Sequence, residues 1–277
     1  MYRFGFLLFL LSSWLIPFCV QAQVDSTQAG DTIAYRSKEW FKSEGYRINK
    51  TYLKSYITDF PKVVTAPGRY TKKDWRNVII VSAGAGLFFA VDGPIQDIML
   101  ANQQPFWTSV SKVMEPFGNR FPPLLIGGMY LAGVITKDRK LEHVSLMTAK
   151  SLVFSVAMYT ATKALVRRQR PRYTDNPYVF KAPFQGGKEY TSFPSGHANT
   201  IFSVATALAI EYKETKWVPI LAYSIATLTG ISRLYENRHW SSDVWLGAAC
   251  GHFVTKALYK VEEEKYKKKQ QLKTIGF

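Results

Sequence analysis

The segment Lys163-Ala-Leu-Val-Arg-Arg-Gln-Arg170-Pro171 closes an apolar stretch, 143–166, that holds no glycine or proline and reads as helix. Seven residues make nearly two helical turns, so Lys163 and Arg170 would share one face, roughly 10 Å apart along the axis. Pro171 disfavours α geometry at Arg170, which predicts that the helix ends there. A guanidinium at a helix end is free to grip an anion in its bidentate fork, with Lys163 a point charge one level deeper. Taken alone, Arg167, Arg168, Arg170 and Arg172 also read as an ordinary solvated basic run.

Two further clusters stand at helix edges. Phe193-Pro194-Ser195-Gly196-His197 precedes the apolar run Ile201–Ile210, and Pro194 and Ser195 favour a helix start. Free backbone N–H groups there, with the positive dipole end, make an anion site, and Gly196 lets a ligand approach the backbone. His197 would project beside that anion, where an imidazolium can protonate a leaving oxygen. Alone, the tetrapeptide is as well read as a plain cap with an exposed histidine. The third cluster is Ser232-Arg233-Leu-Tyr-Glu-Asn-Arg-His239-Trp-Ser-Ser-Asp243. Arg233 closes an apolar helix, and His239 and Asp243 open the next, four apart. That spacing can set the carboxylate against one imidazole nitrogen, fix the tautomer and leave the other nitrogen to attack phosphorus. Alone, this cluster reads better as a helix-start charge at Asp243 with an unrelated His239. Joint occurrence decides: cations, two imidazoles, a carboxylate and a helix-start dipole recur in order at helix edges, a set that suits a phosphate oxyanion.

The three clusters together resemble the type 2 phosphatidic acid phosphatase superfamily, which includes lipid phosphatases, bacterial acid phosphatases and vanadium haloperoxidases. Its pattern is Lys-x6-Arg-Pro, Pro-Ser-Gly-His and Ser-Arg-x5-His-x3-Asp, and every motif position is present within residues 75–260. The resemblance implies that Lys163, Arg170, Ser195, Gly196 and Arg233 hold the phosphoryl group. It implies His239 as nucleophile, Asp243 as its orienting partner and His197 as general acid. The implied reaction runs through a phosphohistidine that water then hydrolyses, with His197 as base. The cations would supply the charge that magnesium supplies elsewhere, so neither metal nor cofactor is expected.

Composition agrees without deciding. The 277 residues carry a formal charge of +16, part of it in the tail from Lys260 to Lys273, which reads as a solvated end. No glycine-rich dinucleotide motif, P-loop or groove-reading module appears, so nucleic acid is not an expected partner. The two cysteines, Cys19 and Cys250, cannot build a disulfide framework. His143 reads as a loop residue and His252 as part of a packed helix, neither in a metal-ligand cluster.

Residues 1–22 read as a signal peptide or N-terminal anchor: Arg3 precedes the apolar run Phe4–Val20, and Val20-Gln21-Ala22 offers a cleavage point. Residues 23–74 read as a polar arm, 75–260 as the catalytic domain and 261–277 as a basic tail. Six apolar helical stretches are expected at 75–91, 121–136, 143–166, 197–212, 217–235 and 243–259. Most fall short of the ~20 residues preferred for a span, but Trp75, Trp107, Trp217, Trp240 and Trp245 near their ends suggest an interfacial belt. Basic residues before the first stretch, after the second and fourth, and in the tail would lie in the cytoplasm, with the motif loops outside. A cleaved signal followed by six spans would turn the motifs inward. Either Phe4–Val20 is an uncleaved seventh span, or some stretches do not span, or the whole chain is exported; the first and last keep the site periplasmic.

The expectation is therefore an all-α, six-helix phosphatase core, membrane-embedded, with a polar N-terminal arm. It would sit in a bacterial inner membrane with a periplasm-facing site. The substrate would be a phosphorylated lipid or other phosphate ester, such as undecaprenyl diphosphate, lipid A or phosphatidylglycerol phosphate. The alternatives are a soluble periplasmic acid phosphatase and, more remotely, a vanadium-dependent haloperoxidase. The loop around Gln103–Gly118, which carries Trp107, and the arm are candidate selectors of substrate.

Overall fold

The computed structural model describes residues 38–274, which form ten α-helices and no strand beyond one isolated bridge between Arg168 and Phe180. The expected signal or anchor at 1–22, with Cys19, lies outside the described residues. All six expected apolar stretches are helices: α3 (Lys72–Ala90), α6 (Phe121–Thr136), α7 (Arg139–Val166), α8 (Gly196–Glu211), α9 (Trp217–Tyr235) and α10 (Ser241–Thr274).

Helix starts follow local chemistry. Thr71 and Asp74 form a capping box at α3, and the Asp138 carboxylate accepts the Leu141 N–H at α7. That cap places His143 in the first turns of α7, buried and stacked on Tyr46, not in the expected loop. His252 is packed in α10 as expected, bonded to Thr206 and Tyr223.

α8 lies at the centre, packed against α7, α9 and α10. Ala198, Phe202, Ala205, Tyr223, Ala226 and Ala248 form one buried cluster; Met147, Phe154, Ala207, Val254 and Leu258 form another. Gly247 and Gly251 let α10 press directly on α8, because a Cβ at either would collide with the backbone oxygens of Ser195 and Asn199. This contact fixes the start of α8 against the start of α10, where two of the three clusters lie.

The region 92–118, which takes in the loop expected around Gln103–Gly118, is helical for most of its length. It contains α4 (Asp92–Ala101) and α5 (Pro105–Met114), with a 3-10 turn at Glu115–Gly118. α4 leaves α3 at a 59° bend, and Pro105 opens α5 in the first-turn position that tolerates a missing N–H.

The arm residues from Lys38 form α1 (Lys38–Ser43) and α2 (Lys50–Val64), which pack on α7 and α10. The expected solvated tail is instead the continuation of α10. Val261 is buried, Tyr266 packs on Trp40, and Glu262 and Lys265 join Asp59 and the fully buried Lys150 in one ion network. Arm and tail bury each other's polar and apolar faces, a pairing that neither shows alone.

By length and composition α7 is long and apolar enough to cross a membrane, and α3 with α4 qualifies as a bent pair; α6 is apolar but shorter. Ile79 of α3, Leu124, Leu131 and Ile135 of α6, Val153 of α7 and Ile220 of α9 all face outward. Trp75 and Trp217 are exposed in the manner of a belt, whereas Trp240 and Trp245 are core residues bonded to the carbonyls of Gln169 and Val81.

Candidate active site

The helix α7 ends at Val166, four residues before the point that Pro171 predicts, because Arg167 adopts left-handed geometry (φ 46°). The chain turns there, and backbone bonds from Gln169 N to Val179 O and Lys181 N to Arg167 O hold the loop. Arg170 is extended, as the following proline requires, so Lys163 and Arg170 do not share a helical face. They meet by another route. Lys163 Nζ donates to the Thr191 carbonyl at 2.7 Å, and Arg170 Nη2 donates to the same oxygen at 3.1 Å.

The turn also drives Arg168 inward. It is fully buried, not part of a solvated run, and stacks over Phe89 with its guanidinium 4.4 Å from the ring centroid. Nη1 donates to Asp243 Oδ1 and Nη2 to Asp92 Oδ2, both at 2.8 Å. Asp92, delivered by the α3–α4 bend, accepts the Ser242 N–H at 2.9 Å and the Ser241 hydroxyl at 2.6 Å. The start of α10 thus carries a buried carboxylate–guanidinium–carboxylate row. Asp243 Oδ2 is filled by the Ser192 hydroxyl at 2.5 Å and the Trp240 N–H at 2.9 Å.

This row sets His239. Its Nδ1 lies 2.7 Å from the Ser192 carbonyl and 3.9 Å from Asp243 Oδ2. A carbonyl can only accept, so Nδ1 carries the proton and Nε2 keeps its lone pair. The spacing argument expected Asp243 itself at the ring nitrogen. The structure puts the Ser192 carbonyl there, with Asp243 holding the Ser192 hydroxyl behind it. Burial pushes the imidazole down to about 3; Asp243 opposes this, while the charges of Arg170 and Lys163 add to it. Nε2 therefore presents a neutral nitrogen, 3.5 Å from Arg170 Nη1.

Ser195 caps α8 as expected, its hydroxyl accepting the Ala198 N–H, and its own N–H donates to the Asp243 carbonyl at 2.9 Å. The open side of Gly196 faces the Tyr159 ring, about 3.1 Å from where a Cβ would sit. His197 points toward the 3-10 turn, with Nε2 2.9 Å from Glu115 Oε1. Arg233 is buried at the end of α9, donating to Glu236 at 3.0 Å and lying 3.9 Å from Glu115. Burial works against the Glu115 carboxylate, yet its hydrogen bond to His197 and the nearby Arg233 hold it below the usual carboxylate range.

These groups surround a cavity of about 640 Å³. Arg170, His197, Arg233 and His239 line it, further lysines and arginines ring it, and Glu115 and Glu236 are its carboxylates. Lys163, Ser195, Gly196 and Asp243 stand behind that wall. The structure thus gathers all eight sequence-predicted residues at one end of the bundle, four on the cavity and four in support. Sequence reasoning missed Asp92, Glu115, Arg168, Thr191 and Ser192. Arg168 and Ser192 sit inside or beside the quoted clusters, but their roles depend on a turn and on partners far along the chain.

Residues 145–267, which contain all three clusters, match the family model described as PAP2 superfamily. The lipid A 1-phosphatase of Porphyromonas gingivalis is 27% identical over 270 residues, 95% of this chain and 52% of that protein. The lipid A 1-phosphatase of Rhizobium johnstonii is 30% identical over 102 residues, 36% of this chain and 41% of that protein. The chain thus spans about half the length, or less, of these relatives. A crystal structure described as the first transmembrane PAP2 type phosphatidylglycerolphosphate phosphatase, from Bacillus subtilis, has the same fold. It superposes with a TM-score of 0.50 at 23% identity, covering 76% of this chain and 95% of that one. With the three clusters complete inside the matched segment, residues 145–267 are similar to the PAP2 superfamily, and the chain shares the fold of a PAP2 type phosphatase.

Proposed function

We propose that this chain is a phosphatase acting on a lipid-linked phosphomonoester or diphosphate through a phosphohistidine. One observation carries the reading: a neutral His239 directs a bare Nε2 at a cavity that also holds Arg170, Arg233 and His197. In this reaction Nε2 attacks phosphorus in line, and His197 gives a proton to the departing oxygen. Water then gives a proton back to His197 and attacks the phosphoryl group, releasing phosphate and restoring His239. As Nε2 bonds to phosphorus the ring becomes cationic, and the Ser192 carbonyl, backed by the Asp243–Arg168–Asp92 row, steadies that charge. Arg170 and Arg233 stabilise the equatorial oxygens, with Lys163 a further positive charge behind them, and on this reading they do so without a metal.

Lipid substrates are supported by the relatives, which are lipid phosphatases. Besides the lipid A 1-phosphatases, an undecaprenyl-diphosphatase of Sulfolobus acidocaldarius is 28% identical over 124 residues. The apolar outer faces of α3, α6, α7 and α9 suit lipid, which favours a membrane protein over a soluble acid phosphatase. Lys137, Arg139 and Lys140 around the start of α7, and Lys213 and Lys216 before α9, lie at the end of the bundle remote from the cavity, where Lys140 stacks on Tyr212. The positive-inside rule puts that end in the cytoplasm and the cavity outside it, in the envelope of a bacterial cell. The catalytic unit is residues 75–260.

The test is phosphate release from a panel of soluble and lipid phosphates, with and without chelator, with an acid-quench trap for the phosphoenzyme. An acid-labile, alkali-stable label lost in His239→Ala supports the reading. Turnover without His239, or activity abolished by chelator, refutes the corresponding part.

A further inference from the structure

We propose that Glu115 is the counter-charge of His197, a positioning residue that holds this imidazole at the cavity and favours its protonated form. The proposal rests on the reading of His197 as general acid. Glu115 lies far in sequence from the three clusters, on the 3-10 turn between α5 and α6, and no motif marks it. Its Oε1 is 2.9 Å from His197 Nε2 and accepts the Asn119 amide on the same oxygen at 2.8 Å.

The turn is built around the imidazole. A Cβ on Gly118 would sit 2.5 Å from His197 Cδ2, so only a glycine lets the turn lie against the ring. Its position relative to α9, which carries Arg233, is also set. The Gln104 N–H donates to the Tyr235 hydroxyl at 2.9 Å, Thr108 and Tyr235 share a bond of 2.8 Å, and Ser111 donates to Glu236 at 2.8 Å. Glu115 therefore meets His197 through two anchored elements and not by a chance surface encounter.

Charge explains why a carboxylate is needed there. The charged groups facing His197 are Glu115 from the turn and Arg233 and Glu236 from α9, and the polar Asn119 amide lies 3.3 Å from Nε2. The rest of the cavity is rich in cations. An imidazolium among guanidinium groups sheds its proton unless an anion sits at hydrogen-bond distance. Glu236 is already engaged by Arg233 and Ser111, which leaves Glu115 to serve His197. In the cycle, the proton passes from His197 to the leaving oxygen as the P–O bond breaks. Water returns a proton to His197 as its oxygen bonds to phosphorus and the P–N bond breaks. Glu115 exchanges no proton; it stabilises the charged ring at the start and end of each cycle.

The experiment compares the full-length chain with Glu115→Gln and Glu115→Ala, measuring kcat/KM against pH. Two substrates are used: an alkyl phosphate, whose leaving group needs a proton, and a nitrophenyl phosphate, whose leaving group does not. Removing a carboxylate at this distance should move the alkaline limb of the alkyl profile down by about one pH unit, roughly a tenfold loss on that limb. Rates at the acidic end, and with the nitrophenyl ester, should change much less, and Glu115→Ala should show the same pattern. A Glu115→Gln profile that overlays the wild type would overturn the proposal, because shape alone would then suffice. So would an equal loss at every pH with both substrates, the mark of a structural role. If His197→Ala hydrolyses the alkyl phosphate at the wild-type rate, the reading of His197 falls first and this proposal with it.

Discussion

Replacing Arg168 by methionine should be among the most destabilising single changes in this protein. Arg168 has no exposed surface and places five donor contacts: Asp243 at 2.8 Å, Asp92 at 2.8 Å, Ser242 at 2.7 Å, and the Pro177 carbonyl at 2.8 and 2.9 Å. Methionine fills much of the volume but leaves Asp92 and Asp243 buried with no cation between them. Breaking one buried ion pair from one side costs about 3–5 kcal/mol, and here one residue serves two carboxylates. The low end of that range is the safer expectation, because Asp92 and Asp243 keep their hydroxyl and N–H donors from Ser192, Trp240, Ser241 and Ser242. For a protein of this size, about 3 kcal/mol should lower Tm by roughly 6–12 °C. Thermal unfolding of detergent-purified protein, followed by tryptophan fluorescence, reads this directly. Arg168→Met/Asp92→Asn should recover part of the loss, since one orphaned charge disappears with its partner. Arg168→Lys should rescue little, as one ammonium cannot fork to both carboxylates. If Arg168→Met costs less than about 1 kcal/mol, or the double variant is no better than the single, the carboxylate–guanidinium–carboxylate row does not organise the start of α10 as argued.

His239→Ala should lower phosphate release by about 10⁴-fold or more while the protein still folds, as loss of a nucleophile does elsewhere; a modest drop would point to another nucleophile. Because the folded-state value of His239 is pushed down to about 3, the ring is neutral in the folded protein where it is charged in the unfolded chain. Its stabilising contribution is complete above its unfolded value of about 6.5 and is lost as pH falls from there toward 3. Melting temperatures should therefore fall between pH 7 and 4 more steeply in the wild type than in His239→Ala, and parallel curves would contradict the buried neutral ring. Gly247→Ala should push α10 away from Ser195, costing about 1–3 kcal/mol and lowering activity, which melting and turnover assays check together.

The fold was legible because helix periodicity survives in a single sequence. The apolar stretches at 121–136, 143–166 and 217–235 coincide with α6, most of α7 and α9. The errors arose where a boundary depends on distant partners. The end of α7 is set by Arg167 in left-handed geometry and by loop bonds to residues 179–181, not by Pro171. The tail looked solvated because the six lysines from Lys260 to Lys273 look alike in a charged run. Placing Glu262 and Lys265 against Asp59 requires knowing that α2 docks beside α10. Trp240 and Trp245 lay at helix ends as a lipid belt would, but Gly84 opens space for the Trp245 ring, and the α7–α8 loop covers Trp240.

The site divides along the same line. Residues marked in sequence by their chemical type come together at one end of the bundle: a histidine four before an aspartate, an arginine before a proline, a serine before a glycine at a helix start. Those that work through a partner carry no such mark. Ser192 acts through its carbonyl, which any residue possesses, so no side-chain pattern can mark it. Thr191 does the same for Lys163 and Arg170. Arg168 and Asp92 are individually unremarkable charges, 76 positions apart, that become a pair only through the bend between α3 and α4. This has a consequence for reading relatives. A chain that keeps Lys-x6-Arg-Pro, Pro-Ser-Gly-His and Ser-Arg-x5-His-x3-Asp but lacks a buried cation beside its aspartate must hold that carboxylate by other donors. If it cannot, it should bind phosphate and turn it over slowly. On the proposed mechanism the motif supplies the contacts to the anion, and the row beneath it sets where His239 Nε2 points.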